Sequence, residues 1–437
     1  MVIRFTDIPY SDEFIRRRHL NWIVLALMYG SYYMCRYSLT IANKSMCDYF
    51  HWNNQEIGWV ITAGFWAYAF GQIINGFLTD RIGGRKAILI GSAGTIILNI
   101  LFGFGKYSGL LTYFIVIWMV NGYFQAFGAP STIKINSSWF SLRERGIFTG
   151  IFSCGIEIGR WTIYALGGYI IARCSWQWVF FIPSAIALFI AIAGYFSIVN
   201  HPEDIGFPPV EQPDKHDESD NSPPGIRELF RKVISNNIIW TIAFAYFCTG
   251  IVRHGFEQWF PKYLQEVHHM KTDEPLFQLT VMAIPVCAVT GAAIAGYVSD
   301  RVFGGRRGPV ASIMYFCQVI LLLLFNYVSS PLMSCFILIV LSIMISGPHA
   351  LLGAAAAMDF GGRRASGFAG GFIDSFQYIG AGLTGFGIGI ILDRLGWTGW
   401  LTGLTGFSLI GGILMAFIWN SLPVGANTEV RPVADDR

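Results

Sequence analysis

The chain has 437 residues, of which 54% are hydrophobic and only 13% charged, and its formal net charge is +3. Soluble globular proteins carry about 25% charged residues, so a soluble fold of this size would expose large apolar patches and is excluded. The small net charge leaves no footprint for a nucleic-acid partner, and the 49 glycines suit membrane helices, whose backbones approach closely through small residues.

Residues 1–19 are polar and end in Arg16-Arg17-Arg18-His19, which reads as a cytoplasmic anchor before the first helix. No short apolar core with a small-residue cleavage site follows, so no cleavable signal peptide is expected. A spanning helix needs about 20 mainly apolar residues. Twelve such stretches occur, near 20–43, 57–79, 87–104, 110–133, 147–171, 177–199, 238–260, 276–298, 309–328, 331–354, 366–392 and 397–420. Residues 200–235 hold Pro202, Pro208, Pro209, Pro213 and the run Asp214 to Asp220, and read as a mobile linker. The expected organisation is an N-terminal segment 1–19, a six-helix bundle 20–199, a cytoplasmic linker 200–235, a second six-helix bundle 236–420 and a disordered cytoplasmic tail 421–437. With both termini inside, twenty Lys and Arg residues fall on the inner side and six on the outer, so the positive-inside bias places both termini in the cytoplasm.

One loop motif occurs twice. Gly76-Phe77-Leu78-Thr79-Asp80-Arg81-Ile82-Gly83-Gly84-Arg85-Lys86 follows the second stretch, and Gly296 to Arg307, with Asp300, Arg301, Gly304, Gly305 and Arg306, follows the eighth. The aspartates lie 220 residues apart (300 − 80), half the chain. A carboxylate at a helix end pairs with arginine or caps a neighbouring helix. Asp80, Arg81, Arg85, Asp300, Arg301 and Arg306 are therefore expected to gate, pairing on the inner side and parting when the protein opens inward. The ordinary alternative is that they are topogenic charges that keep loops inside.

Ionisable groups at membrane depth are costly and are functional candidates by default. Arg36 precedes Asp80 by 44 residues, and Arg253 precedes Asp300 by 47, so the repeat gives each half one guanidinium at a matching position. Facing one central cavity, they would flank a small anion, because the arginine fork grips phosphate or carboxylate oxygens bidentately and stays charged. The alternative is an internal pair or a snorkelling side chain. Glu157 and Arg160 share a helix face, and Asp374, three residues before Gln377, sits at the matching place in the second half. Glu157–Arg160 reads equally as an internal pair or as a substrate or proton contact. His254 and His349 read as substrate or proton ligands, or as ties to a neighbouring helix. Tyr33 and its neighbours Tyr29, Tyr32 and Tyr37 divide between cavity lining and packing. Lys134 is expected near the inner mouth.

Six of the eight cysteines sit in apolar stretches and read as packing residues. Cys47 and Cys174 near the outer helix ends leave a disulfide open. No nucleotide loop, nucleophile motif or metal-ligand spacing is present, so no cofactor, metal or catalysis is expected.

The repeated loop, Gly then Asp-Arg then Gly and two basic residues, resembles the signature of the major facilitator superfamily. Along nearly its full length the chain resembles the organophosphate:phosphate antiporters within it. The residues that carry this are Tyr32-Tyr33-x-x-Arg36, Arg253-His254-Gly255-x-x-x-Trp259-x-Pro261-x-Tyr263-Leu264, Gly128-x-Pro130, Trp139-Phe140-Ser141-x-x-Glu144-Arg145-Gly146, Pro202-x-x-x-Gly206-Phe207-Pro208-Pro209-Val210-Glu211 and Ala365-x-Gly367-x-Ala369-Gly370-Gly371-Phe372. The resemblance implies an all-α membrane protein of twelve helices in two pseudo-symmetric six-helix bundles. It implies secondary transport of glycerol-3-phosphate, a hexose phosphate or a similar anion, coupled to phosphate or protons, by a monomer in a bacterial inner membrane. It makes Arg36 and Arg253 the phosphate ligands. The sequence departs from that family where its fifth-helix His-Asn pair falls on Ile156 and Glu157 and its last glycine on Arg160. In the second helix, Gln72 stands where glycerol-phosphate members carry lysine. These departures leave open a carboxylate-rich substrate such as a siderophore, and the family's sensor members leave open a receptor for a sugar phosphate.

Overall fold

The computed structural model describes residues 10–210 and 235–421, with the side chains of 142–154, 156 and 354–370 excepted. Most of the expected linker and tail, and the side chains of Arg143, Arg145, Arg363 and Arg364, lie outside the described residues.

Every long element is a helix. Ser11 caps α1 (Asp12–Phe50), its hydroxyl accepting from Phe14 N at 3.2 Å, and Asp12 and Glu13 oppose the positive end of the helix dipole. The helix therefore starts inside the expected polar segment. Its basic cluster is partly buried: Arg18 lies 4.8 Å from the Tyr10 ring and 5.1 Å from that of Phe140, and Arg17 donates to Ser197 O at 2.7 Å. An Asn53–Glu56 capping box opens α2 (Asn54–Ile82). Gly83, at φ +85°, makes the turn into α3 (Gly84–Phe104), a backbone that side chains resist.

The expected span 110–133 is broken. It forms α4 (Leu111–Gln125) and α5 (Gly128–Trp139), with Ala126 and Phe127 between them. Pro130 has no N–H to carry a helix across this point, and it fits the first turn of α5, where none is needed. Then follow α6 (Leu142–Arg173), α7 (Trp178–Ser197), α8 (Asn237–Val267), α9 (Pro275–Arg301), α10 (Arg307–Phe325) and α11 (Pro331–Ala350). A π-helical turn, Leu351–Ala355, leads into α12 (Ala356–Phe417). The two last expected spans are thus one helical run, but Gly396 has φ +64°. A left-handed residue cannot continue a right-handed helix, so the run turns there, between the two expected stretches.

Eight helices among the described residues are long and apolar enough to cross a membrane, one of them the 47-residue stretch Gly371–Phe417. At about 1.5 Å per residue that stretch is about twice a bilayer's hydrocarbon thickness. Large apolar side chains such as Phe70, Phe77, Phe189 and Phe196 are exposed. Lipid rather than water is their favourable solvent.

The contacts divide the chain into two compact units. One holds α1 to α7 with Glu257–Val286 and Gly382–Arg394. Its core sets Met28, Tyr29 and Tyr32 of α1 against Ile88, Ile135 and Trp139, and an aromatic knot joins Phe102 of α3 to Phe114, Trp118 and Phe180. Its helices touch through glycine: a Cβ on Gly159 of α6 would strike the carbonyl of Gly30 on α1. The other unit holds α8 up to Phe256, Cys287–Ala381 and the chain from Leu395. Its core gathers Ile242, Tyr246, Met314, Tyr315, Leu352 and Met415.

Candidate functional site

Tyr29, Tyr33 and Tyr37 recur at i, i+4 along α1; Tyr29 meets Tyr33 edge-to-face at 5.5 Å between ring centroids, and Tyr33 stacks on Tyr37 at 6.1 Å. Arg36 stands beside this ladder. Its Nε donates to Gln125 Oε1 of α4 at 2.7 Å, and its guanidinium lies 4.9 Å from the Tyr33 ring and 4.3 Å from the Tyr68 ring of α2. Asn121 receives a hydrogen bond from Gln125 Nε2 at 3.4 Å, which turns the Gln125 carbonyl oxygen toward Arg36. Gln72, one turn beyond Tyr68, is a side-chain hydrogen-bond partner of that phenol. Arg36, Tyr68, Trp118, Asn121, Gln125 and Gln258 line a partly open cavity with about 400 Å³ of empty space. Amide and aromatic partners orient a guanidinium without cancelling its charge. Such a site can hold an anion.

Arg253 of α8, in the other unit, is braced differently. Its Nη1 lies 3.0 Å from His349 Nε2 on α11. Arginine has only donors, so His349 Nε2 accepts and the ring is neutral, with its hydrogen on Nδ1. Nδ1 meets the Tyr246 hydroxyl at 2.9 Å, and the Gln377 amide lies 3.2 Å away. Asp374, one helix turn before Gln377, lies within electrostatic reach of Arg253. His254 is buried, 6.2 Å from the Tyr378 ring.

Glu157 and Arg160 form a separate cluster. Arg160 is buried and makes ion pairs with Glu157, on its own helix, and with Glu257 of α8, where Nη1 is 2.6 Å from Oε1. The Tyr37 hydroxyl donates to Glu257 Oε2 at 2.7 Å. Beside them Thr40 donates to Gln258 Oε1 at 2.7 Å, and Lys262 donates to Asn54 Oδ1 at 2.7 Å. Asp393 of α12 accepts from Asn54 N at 3.0 Å and Gln55 N at 2.9 Å, capping α2.

In the repeated loops, Asp80 pairs with Lys134 of α5 at 2.8 Å, and Asp300 with Arg307 at 2.6 Å. Arg85 donates to Tyr195 O at 2.6 Å, and its backbone N–H to Asn200 Oδ1 at 2.8 Å. Arg81 and Arg301 are exposed, and Arg306 precedes the first turn of α10.

Of the expected site residues, Arg36 meets Tyr33 directly and Gln72 through Tyr68, Arg253 and Asp374 share a surrounding, and Glu157–Arg160 turns to Glu257. Gln125, Tyr68, Glu257 and Lys262 were missed as site residues. Glu257-Gln258 had a usable signal, an acid and an amide inside the apolar stretch 238–260. Lys262 lies just beyond that stretch, near the end of α8.

Residues 25–385 match the Major Facilitator Superfamily. The chain belongs to that family. It is an integral membrane protein with the all-α major facilitator fold, and a member of a transporter family rather than an enzyme. The glycerol-3-phosphate transporter of Bacillus subtilis is 28% identical, covering 96% of each chain. A protein of Chlamydia pneumoniae named "Probable hexose phosphate transport protein" is 25% identical, covering 94% of each. The Escherichia coli membrane sensor protein UhpC is 28% identical, covering 91% of each. These names agree with the resemblance to organophosphate:phosphate antiporters. A bacterial homolog of the human lysosomal transporter Spinster shares the fold, with a TM-score of 0.73 at 14% identity over 92% of this chain and 95% of its own.

Proposed function

We propose that this protein is a secondary active transporter of a small phosphorylated anion such as glycerol-3-phosphate or a hexose phosphate, with Arg36 and Arg253 as its phosphate ligands. The observation that carries this reading is Arg36, set in a cavity by Gln125 and two tyrosine rings that orient its fork. Bracing by His349 gives Arg253 the same preparation in its own unit. Tyr33 and Gln72 support Arg36, the second through Tyr68, and His254 and Asp374 accompany Arg253. The relatives' names and their near-complete coverage favour this substrate class. Asp80, Arg81, Arg85, Asp300, Arg301 and Arg306 serve as the gate on the cytoplasmic side. Alternating access between two bundles, 20–199 and 236–420, with inorganic phosphate as exchange partner, fits this arrangement. We place a functional monomer in a bacterial inner membrane with both termini in the cytoplasm.

Counterflow into phosphate-loaded proteoliposomes tests the reading. Each charge-assisted hydrogen bond contributes about 1.5–3 kcal/mol, so Arg36→Ala and Arg253→Ala, each losing two, should cut uptake about a hundredfold or more. Unchanged uptake in both variants sinks the binding assignment. The similarity to UhpC favours a second reading, a membrane sensor. Stabilisation by glycerol-3-phosphate without any counterflow would establish it instead.

A further inference from the structure

The amides around Arg36 have their orientations fixed by donor and acceptor chemistry. Arginine only donates, so Gln125 must turn its oxygen to Arg36 Nε and its Nε2 to Asn121, which in turn must present Oδ1. Asn121 Nδ2 is left over. It is buried and makes no hydrogen bond among the described residues. A buried amide donor without an acceptor is costly, and a ligand is one thing that can supply the acceptor. On α8, Gln258 is also buried, and its Oε1 accepts from the Thr40 hydroxyl at 2.7 Å, so Nε2 is the end left for the cavity. Asn121 and Gln258 line the same cavity as Arg36. Arg36 is the one charged side chain among the described residues lining it, and Phe65 and Trp118 add aromatic wall. One guanidinium suits one anionic group. Amide N–H groups suit neutral oxygens, and a hydroxyl oxygen accepts from them.

We propose that Asn121 and Gln258 form a hydroxyl-binding subsite beside Arg36, which selects phosphate esters with a polyol or sugar body over esters with a bare hydrocarbon chain. The proposal rests on the transporter reading above and deepens it. Arg36 takes the phosphate, and Asn121 Nδ2 and Gln258 Nε2 donate to hydroxyl oxygens of the body. A site built to hydrogen-bond a hydroxyl rejects the analogue that lacks it, because its own polar groups then stay unpaired. Both residues are neutral, so the subsite supplies no partner for a second anionic group, and an occupant with several carboxylates meets a single cation in this wall.

The test compares glycerol-3-phosphate with propyl phosphate, which keeps the phosphate and the three carbons but has no hydroxyl. Both are offered to the full chain in phosphate-loaded proteoliposomes. Each neutral hydrogen bond is worth about two- to tenfold, so the wild type should prefer glycerol-3-phosphate in kcat/KM by about tenfold or more. Asn121→Leu and Gln258→Met keep the side-chain size and should each lower that preference by about two- to tenfold. Asn121→Leu also frees Gln125, and with it Arg36. That effect acts on both esters through the phosphate they share and cancels in the ratio, so a merely structural role leaves the ratio at its wild-type value. Equal use of the two esters by the wild type, or a wild-type ratio in both variants, overturns the proposal while leaving phosphate transport standing. Where one variant fails to insert, the wild-type ratio and the other variant decide. If the wild type moves neither ester nor phosphate, the transporter reading fails by itself. Thermal unfolding in detergent then decides the subsite. Glycerol-3-phosphate should raise the midpoint more than propyl phosphate at the same concentration, and equal shifts refute the proposal.

Discussion

Replacing Arg160 by methionine keeps most of the side chain's length and removes its charge. Two carboxylates then lose their cation, one of them with only 8% of its side chain exposed and the other with 21%. Removing one partner of a buried ion pair costs about 3–5 kcal/mol, because the remaining charge stays desolvated and unpaired. The Tyr37 hydroxyl still donates to Glu257, but one neutral hydrogen bond contributes only about 1 kcal/mol. Near the unfolding midpoint each kcal/mol moves it by about 2–4 °C in domains of 150–250 residues. Arg160→Met should therefore lower the midpoint in detergent by about 6–20 °C. The variant Arg160→Met/Glu157→Gln/Glu257→Gln removes all three charges and should return to within about 3 °C of wild type, because a buried ionic triad replaced as a whole is often close to neutral. Tryptophan-fluorescence melting curves at one pH and one detergent concentration supply both numbers. A midpoint within about 2 °C of wild type for Arg160→Met, or a triple variant no better than the single, refutes the account of Arg160 as the cation that holds both carboxylates.

Two further outcomes follow from the packing. Gly159→Val puts atoms where the Gly30 carbonyl stands, and neither backbone can yield without parting α1 from α6. Overpacking costs about 1–3 kcal/mol, so the midpoint should fall by several degrees; an unchanged midpoint would show that the crossing is looser than described. His349→Phe fills the space but removes the acceptor that holds Arg253. Losing one hydrogen bond to a charged group, about 1.5–3 kcal/mol, should raise KM for glycerol-3-phosphate counterflow about tenfold or more. An unaltered KM would mean that His349 does not orient Arg253.

The repeated loop and the apolar stretches were legible because composition and spacing alone express them. Arg36 and Arg253 stood out for the same reason: a charge in an apolar stretch needs a purpose wherever the chain folds. What the sequence left open was each group's partner. Glu157–Arg160 read as an internal pair or a substrate contact, and the deciding residue, Glu257, lies 97 positions from Arg160. Gln125 was invisible as a partner of Arg36, since nothing in the fourth stretch tells which face of the helix meets α1. The break of that stretch at Ala126–Phe127 was signalled locally by Gly128 and Pro130, yet the hydropathy runs through it without interruption.

Sequence by itself determined the membrane, the twofold repeat and the identity of the buried charges, because desolvation penalises a charged residue whatever surrounds it. Tertiary structure decided which neighbours each charge meets. Arg36 lies against an amide and two rings, the setting proposed above for an anion, whereas Arg160, just as basic, is paired with two acids. A guanidinium's role follows from the partners that folding brings within about 3 Å of it, and those partners come from other helices.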